Sequence, residues 1–328
     1  MKNPITLFVN ISALGDVIGA EPALRYAVTH TFKDISKDIL VATVYPELFT
    51  HLPLLNPDVT IMHTDKVNDE IHLHLDRKVF RTNPDPVYPE NNVHNFAQTA
   101  MHTVDFVSLH LLKAILPEEH KHINLPLPTT NEIISITNKF KTLGLDLENT
   151  LLVHSGVTWP SRTVPYNWWK VFLKECKKNS IPVCLIGKTS KTQNLDALDS
   201  NFRPGVFKFN DYPSLINKLS LRELIVAIAQ SWGLITNDSS PFHIAAAFNR
   251  YLFTFATSRE WFKLKPYHHD KAYNLVKRFP FDNTYWCPLL PRKRVDKLPT
   301  GVESLYDCIH DPDTSVLYIK TFRKNDLK

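Results

Sequence analysis

The residues with the clearest chemical potential are the short polar side chains at 237–243, which interrupt an otherwise apolar part of the sequence. An apolar run, 233–236, ends at this group, and a helix of small residues, 244–248, follows it directly. The pattern predicts a strand that feeds a helix N-terminus, where backbone N–H groups and the helix dipole favour an anion such as a phosphate. The alternative is an ordinary helix cap by Asp238 or Ser239.

A second candidate is the pair Gly15-Asp16 near the start of the chain. Residues 6–11 are typical of a short buried strand, and an apolar helix follows the Gly-Asp turn, so this region predicts a βα unit. The chain has neither the Walker-type phosphate loop nor the glycine fingerprint of dinucleotide-binding domains. Because Asp16 follows the strand, it is expected at the carboxyl end of that strand, where open α/β sheets place their ligands, or as a helix cap.

Four parts of the sequence, taken together, resemble glycosyltransferase family 9, the heptosyltransferase-like enzymes. That family carries Gly-Asp followed by an apolar stretch and Pro-Ala-Leu. It also carries Lys-x-Trp-Pro-x-x-x-Trp. Further on, a helix precedes the motif Asp-Ser/Thr-Gly-x-x-His-x-x-Ala-Ala. The corresponding segments of this chain occur in the expected order, at 15–24, 151–169, 219–224 and 238–247.

The resemblance implies an α/β protein of GT-B architecture, with two Rossmann-like domains whose parallel sheets face one another across a cleft. The sequence places an N-terminal acceptor-side domain at 1–145, a nucleotide-sugar-binding domain at 146–300, and a last helix within 301–328 that returns to the first domain. The residues expected to bind the donor are Ser155, Gly156, Lys188, Asp238, Ser239, Ser240 and His243.

The same resemblance assigns the catalytic roles. Asp16 is expected to take the proton of the acceptor hydroxyl, and Arg162 to stabilise the leaving diphosphate. Gly15, His94 and Asn95 are expected on the acceptor side. The scheme uses no metal, cofactor or covalent intermediate, and it predicts inversion at the anomeric carbon of an ADP- or UDP-linked sugar.

Each role has a structural alternative. Arg162 is equally well interpreted as a solvated loop cation, and Ser155-Gly156 as a plain turn. His243 is open to interpretation as a core histidine, and His94-Asn95 as a helix cap and core face.

Three departures from the family pattern matter for the site. Ser240 stands where glycine is usual, which restricts positive φ and close approach to a phosphate. Arg162 replaces a common lysine, so a forked cation replaces a point charge. Lys188 stands near the place of an acidic residue that holds a ribose, which suggests a different donor.

Composition sets further limits. The chain has 328 residues, 43% hydrophobic and 22% charged, with a net charge of +5, as expected for two soluble α/β domains. Four dispersed cysteines and the lack of a signal-like or membrane-spanning run predict a cytoplasmic protein, with peripheral membrane contact left open. Fifteen histidines form no metal-ligand pattern; the pairs 72/74, 120/122 and 268/269 are interpreted as surface or partly buried residues.

The acceptor is predicted to be a lipopolysaccharide-type glycan. An alternative is a hydroxymethylated base in viral DNA, for which the basic stretches 263–265 and 292–294 suit phosphate contacts. A nucleotide-sugar epimerase or a binding protein of the same fold stays open as well.

Overall fold

The computed structural model of the chain describes residues 6–10, 14–31, 39–43, 45–52, 59–63, 78–81, 102–112, 114–157, 162–189, 205–257, 261–277 and 305–326. The chain divides into two units. Unit 1 is Met1–Leu127 with Pro266–His268, and unit 2 is Pro128–Lys265 with His269–Lys328.

Unit 1 has a four-stranded parallel sheet in the order β3-β2-β1-β4. Its strands are β1 (Thr6–Asn10), β2 (Ile39–Thr43), β3 (Val59–His63) and β4 (Lys78–Arg81), and its helices are α1 (Leu14–Gly19), α2 (Glu21–Tyr26) and α3 (Thr103–Leu112). After β1 the chain builds outward to β3 and then crosses back to β4 on the other side of β1. This reversal creates a topological switch point, between β1 and β4, at the carboxyl ends of the strands.

Unit 2 contains a five-stranded parallel sheet and a short antiparallel ribbon. Its strands are β5 (Leu151–His154), β6 (Gly156–Val157), β7 (Val183–Leu185), β8 (Gly205–Val206), β9 (Gly233–Asn237), β10 (Tyr251–Phe255) and β11 (Ala272–Asn274). Its helices are α4 (Thr130–Lys141), α5 (Tyr166–Lys178), α6 (Leu221–Gln230), α7 (Ser240–Ala247), α8 (Trp261–Leu264) and α9 (Pro312–Asp326).

The strand order of unit 2 is that of a dinucleotide-binding domain. The parallel sheet runs β11-β10-β9-β5-β7, and Ser214 adds a parallel bridge to Leu185 beyond β7. When the strands are numbered in chain order and read across the sheet from Ser214 to β11, their order is 3-2-1-4-5-6, which is the Rossmann order. The switch point therefore lies between β5 and β9.

Helix signals in the sequence explain where the elements of unit 2 start and what they bury. Capping boxes open two helices, with Thr129 and Glu132 at α4 and Ser220 and Glu223 at α6. Helix α5 buries one stripe of large side chains against the sheet, and Trp168 stacks on Phe172 while meeting Phe255 edge-on. The buried residues of α5 are Trp168, Trp169, Phe172, Leu173 and Cys176.

The strands predicted at 6–11 and 233–236 are confirmed as β1 and β9 with small shifts of their ends, but β4 and β11 were not predicted. The three residues of β11, Ala-Tyr-Asn, are all partly exposed and carry no apolar run that would mark a strand. Strand β8 pairs with β6 instead of joining the parallel sheet.

Two helices belong to a different unit from the one expected. Helix α4 lies in unit 2, where Arg222 on α6 binds Glu132 through two nitrogens, although the sequence analysis gave 1–145 to the first domain. Helix α9, expected to return to the first domain, packs on α5 of unit 2. There Phe322 stacks on Tyr273 with ring centroids 4.1 Å apart. The described helices include none with the length and apolar character to span a bilayer.

Candidate active site

The polar residues of unit 2 gather at its switch point, where β5 and β9 lie side by side. The register pairs His154, the last residue of β5, with Thr236 of β9. Both strands are buried and apolar up to this level, and each ends in hydrogen-bonding side chains. Because the strands are parallel, these side chains meet at one edge of the sheet, the usual position of a ligand in this fold.

At the turn from β9 into α7, Ser239 is the N-cap residue and has an extended backbone, but its hydroxyl makes no capping bond. Instead it donates to the carbonyl oxygen of Asn237 at 3.2 Å and lies 3.0 Å from the hydroxyl of Thr236. Pro241 has no N–H, and the N–H of Phe242 donates to the carbonyl oxygen of Ser239 at 3.0 Å. The anion-site character of the α7 start therefore rests on the helix dipole and the N–H of Ser240.

Ser240 begins α7 as its first helical residue, followed by Pro241. Serine at position 240, where the family has glycine, causes no backbone strain, because the φ of Ser240 is not in the left-handed region. His243 lies in the first turn of the same helix, half-buried, with its ring edge-on to Phe242.

Arg162 and Asp238 form an ion pair beside the helix start. The guanidinium Nη2 lies 3.4 Å from Oδ2 of Asp238, and the two side chains are only 15% and 5% exposed. A lone buried carboxylate would repel a phosphate, whereas this one is matched by a cation. Asp238 thus pairs with Arg162 beside the helix start.

Asn237 belongs to the polar stretch 237–243 but was given no role of its own, and it ties the loop that carries Arg162 to the end of β9. Its fully buried side-chain amide donates to the carbonyl oxygens of Gly156 at 3.2 Å and of Arg162 at 3.0 Å. A Cβ at Gly156 would overlap the side-chain oxygen of Asn237, so the close approach of the two segments requires glycine there.

Ser155 is buried, and its hydroxyl donates to the carbonyl oxygen of Phe207 at 3.2 Å. The N–H of Phe207 donates in return to the carbonyl oxygen of Ser155. These bonds extend the β6–β8 ribbon, so the structure gives the Ser155 hydroxyl a structural partner. A donor contact from Ser155 stays a prediction.

Lys188 is exposed at the same edge of the sheet, just beyond β7. It follows Gly187, whose φ of +123° is unfavourable for other residues. A Cβ at Gly187 would lie 2.6 Å from Val206 and 3.0 Å from the ring of His154, so this glycine also makes room for the histidine.

His154, also missed by the sequence analysis, joins both strands. Its Nδ1 lies 3.0 Å from Oγ1 of Thr236 and 3.4 Å from Oγ of Ser239. Burial holds the pKa of His154 down at about 4, so the ring is neutral at neutral pH. A signal for both residues was available, since Asn237 follows the apolar run 233–236 and His154 follows the apolar residues 151–153.

In unit 1 the predicted base Asp16 lies near the start of α1, which follows β1 at the carboxyl edge of the sheet. Gly15 precedes it within α1, which begins at Leu14, so the Gly-Asp pair lies in the helix and not in a turn before it as predicted. Strand β1 borders the switch point of that sheet, so the backbone position fits the expected one. His94 and Asn95, predicted on the acceptor side, lie outside the described residues.

Among the residues that the structure describes, no group of three or more His, Cys, Asp or Glu side chains is arranged to hold a metal ion. The 72/74 histidine pair lies outside the described residues.

Comparison with known proteins gives a family and a fold. A sequence model described as "Glycosyltransferase family 9 (heptosyltransferase)" matches residues 97–280, more than half of the chain. Comparison with curated proteins gives no match.

Several solved structures are similar over most of the chain. A family 9 glycosyltransferase from Veillonella parvula has a TM-score of 0.59 at 15% identity, covering 84% of this chain and 86% of that one. The ADP-heptose heptosyltransferase II of E. coli scores 0.56 at 15% identity, covering 84% and 90%. TibC of enterotoxigenic E. coli, in complex with ADP-D-β-D-heptose, scores 0.61 at 12% identity, covering 100% and 80%. At these identities the similarity shows the fold, which is GT-B.

Proposed function

This chain belongs to glycosyltransferase family 9 and is a glycosyltransferase; on that premise we propose that it transfers a sugar from a nucleoside diphosphate to an acceptor hydroxyl, with inversion. The observation that carries the proposal is the start of α7 at the switch point of unit 2, where the N-cap side chain makes no capping bond, beside the pair Arg162–Asp238. This site offers the positive end of the α7 dipole, the backbone N–H of Ser240 and a fixed cation at one edge of the sheet.

The proposed donor site suits a group that becomes more negative as the reaction proceeds. When the glycosidic bond to the diphosphate breaks, charge accumulates on the phosphate oxygens. The positive end of α7 and the backbone N–H of Ser240 stabilise that charge without having to reorganise. A guanidinium has five N–H donors, and one carboxylate does not use all of them. Arg162 can therefore bind Asp238 and a phosphate oxygen together.

The donor that we propose is an ADP-linked heptose. Support comes from the TibC complex, in which a protein of the same fold holds ADP-D-β-D-heptose. A UDP-linked sugar is the second donor to test, because Lys188 stands where the family resemblance expects an acidic residue.

Asp16 is the proposed general base. Its carboxylate takes the proton of the acceptor hydroxyl while the acceptor oxygen bonds to the anomeric carbon and the bond from that carbon to the diphosphate oxygen breaks. One direct displacement inverts the anomeric centre. The proposed scheme routes no step through a metal, because the α7 N-terminus and Arg162 stabilise the leaving diphosphate.

The proposed acceptor is a lipopolysaccharide-type glycan. One observation weakens the DNA alternative: Lys263, part of a basic stretch expected to contact DNA phosphates, is only 2% exposed. The other basic stretch, 292–294, lies outside the described residues.

The proposal is tested by incubating the protein with ADP-heptose and a heptose-free lipopolysaccharide core, with and without EDTA. We expect heptose transfer that EDTA leaves intact and that Asp16→Asn reduces at least about a thousandfold, with donor affinity within a few-fold of wild type. Conversion of donor without acceptor would indicate an epimerase. Full activity of Asp16→Asn would remove Asp16 as the base, and metal-restored activity would overturn the metal-free scheme.

A further inference from the structure

Three side chains at the switch point of unit 2 form a closed polar group, which we call the imidazole–hydroxyl triad: His154, Thr236 and Ser239. Nδ1 of His154 lies 3.0 Å from Oγ1 of Thr236, and that oxygen lies 3.0 Å from Oγ of Ser239. The Ser239 hydroxyl in turn reaches the carbonyl oxygen of Asn237 at 3.2 Å.

Counting protons fixes the direction of these bonds. Three close contacts run in series from the ring to the carbonyl oxygen of Asn237, and the carbonyl can only accept. Ser239 therefore donates to it, Thr236 donates to Ser239, and the remaining contact is filled when Nδ1–H donates to Thr236. If Nδ1 accepted a bond instead, one of the three contacts would bring two oxygens together without a proton between them.

The other ring nitrogen is then an acceptor. With the proton on Nδ1 and the ring neutral because burial lowers its pKa to about 4, Nε2 carries a lone pair. The side chain is only partly buried, and within the described part of the chain Nε2 makes no hydrogen bond. A neutral acceptor does not pair with a phosphate, but it does fit a hydroxyl group.

We propose that Nε2 of His154 accepts a hydrogen bond from a hydroxyl group of the nucleotide-sugar donor. The inference rests on the proposed function, since it places the donor diphosphate at the start of α7. The hydroxyls nearest a diphosphate belong to the ribose on one side and to the transferred sugar on the other. His154 thereby positions the donor, while Thr236 and Ser239 keep its ring in the tautomer that accepts.

The test uses two variants that each keep half of the imidazole. In His154→Asn the amide can occupy the place of Nδ1, but nothing reaches the place of Nε2; in His154→Gln an amide oxygen reaches the place of Nε2. We expect His154→Asn to weaken binding of ADP-heptose roughly three- to tenfold and His154→Gln to stay within about twofold of wild type. Equal affinity of His154→Asn and wild type would overturn the proposal.

Binding of ADP alone identifies the hydroxyl. An equal loss for ADP and ADP-heptose in His154→Asn supports the ribose, and a loss confined to ADP-heptose supports the transferred sugar. A wild-type protein that binds neither ligand contradicts the proposed function itself, whereas wild-type binding with an unaffected His154→Asn contradicts only the role of His154.

A measurement on the wild-type protein avoids any question of variant folding. The ¹⁵N NMR spectrum of the unliganded protein, labelled at histidine, should show His154 protonated at Nδ1 above pH 5. A proton on Nε2 would overturn the proposal.

Discussion

Two buried arginine–carboxylate pairs, one in each unit, differ in how closely they are bound. In unit 1 Glu21 is fully buried and accepts from Arg25 at 2.9 Å, from His51 at 3.1 Å and from the backbone N–H of Asn124 at 2.8 Å. The same arginine donates to two backbone carbonyls in segment 120–122. These bonds connect α2 to the segment 120–124 of the same unit.

In unit 2 the Arg162–Asp238 pair is longer, at 3.4 Å, and stands at the carboxyl edge of the sheet beside a helix start. A close contact between two charges repays more of the cost of burying them than a long contact does. Burial of an ion pair therefore does not by itself define its role. We interpret Glu21–Arg25 as structural and Arg162–Asp238 as prepared for a ligand.

The largest effect is expected at the structural pair. Glu21→Ala leaves Arg25 buried without its carboxylate and should lower the free energy of unfolding by about 3–5 kcal/mol. Chemical denaturation measures this change. Glu119→Ala, at an exposed carboxylate of the same unit, is the control and should leave stability within about 0.5 kcal/mol of wild type. A Glu21 variant as stable as the control would erase the contrast between the pairs.

The next largest effect is expected on binding and not on folding. Arg162→Ala should weaken ADP-heptose binding by about 1.5–3 kcal/mol, roughly ten- to 150-fold, because it removes a charged donor to phosphate. Isothermal titration calorimetry measures it. Arg222→Ala removes an arginine of the same unit that binds Glu132 and should bind donor normally. An unchanged dissociation constant for Arg162→Ala would take this residue out of the site.

A smaller effect is expected when the loop support is removed. Asn237→Ala deletes the donors to the carbonyls of Gly156 and Arg162, and should cost about 1–2 kcal/mol of stability and weaken donor binding several-fold. Thermal melting and calorimetry together measure both losses. Asn167→Ala, at an exposed position of α5, is the control. Unaltered donor affinity in Asn237→Ala would show that the loop keeps Arg162 in place without it.

The smallest effect is expected at a surface pair. Arg222 donates twice to Glu132 and lowers the pKa of that carboxyl to about 2 from an ordinary 4.5. The folded pKa lies below the unfolded one, so the pair stabilises above about pH 4.5 and its contribution is lost as pH falls toward 2. Because both side chains are partly exposed, Glu132→Gln should cost no more than about 1 kcal/mol at pH 7. A loss equal to that of Glu21→Ala would contradict the ranking by burial.

The sequence predicts the elements of the site better than its contacts. The apolar run 233–236 and the polar residues after it place β9 and the start of α7, because strand and helix signals are local. His154 and Thr236 meet across 82 positions of chain. That contact follows from the strand order, which no local pattern specifies.

The remaining misses also have physical reasons. Strand β11 is short and partly exposed, and α9 is held by stacking of Phe322 on residues far away in sequence. The Arg162–Asp238 pair depends on the loop held by Asn237.

The most direct test of the account is a calorimetric titration of the wild-type protein with ADP, UDP and GDP in the same buffer. We predict that ADP binds and that its affinity exceeds those of the other two. Tighter binding of UDP or GDP would contradict the ADP-linked donor. Failure of all three to bind would contradict a nucleotide site at the start of α7.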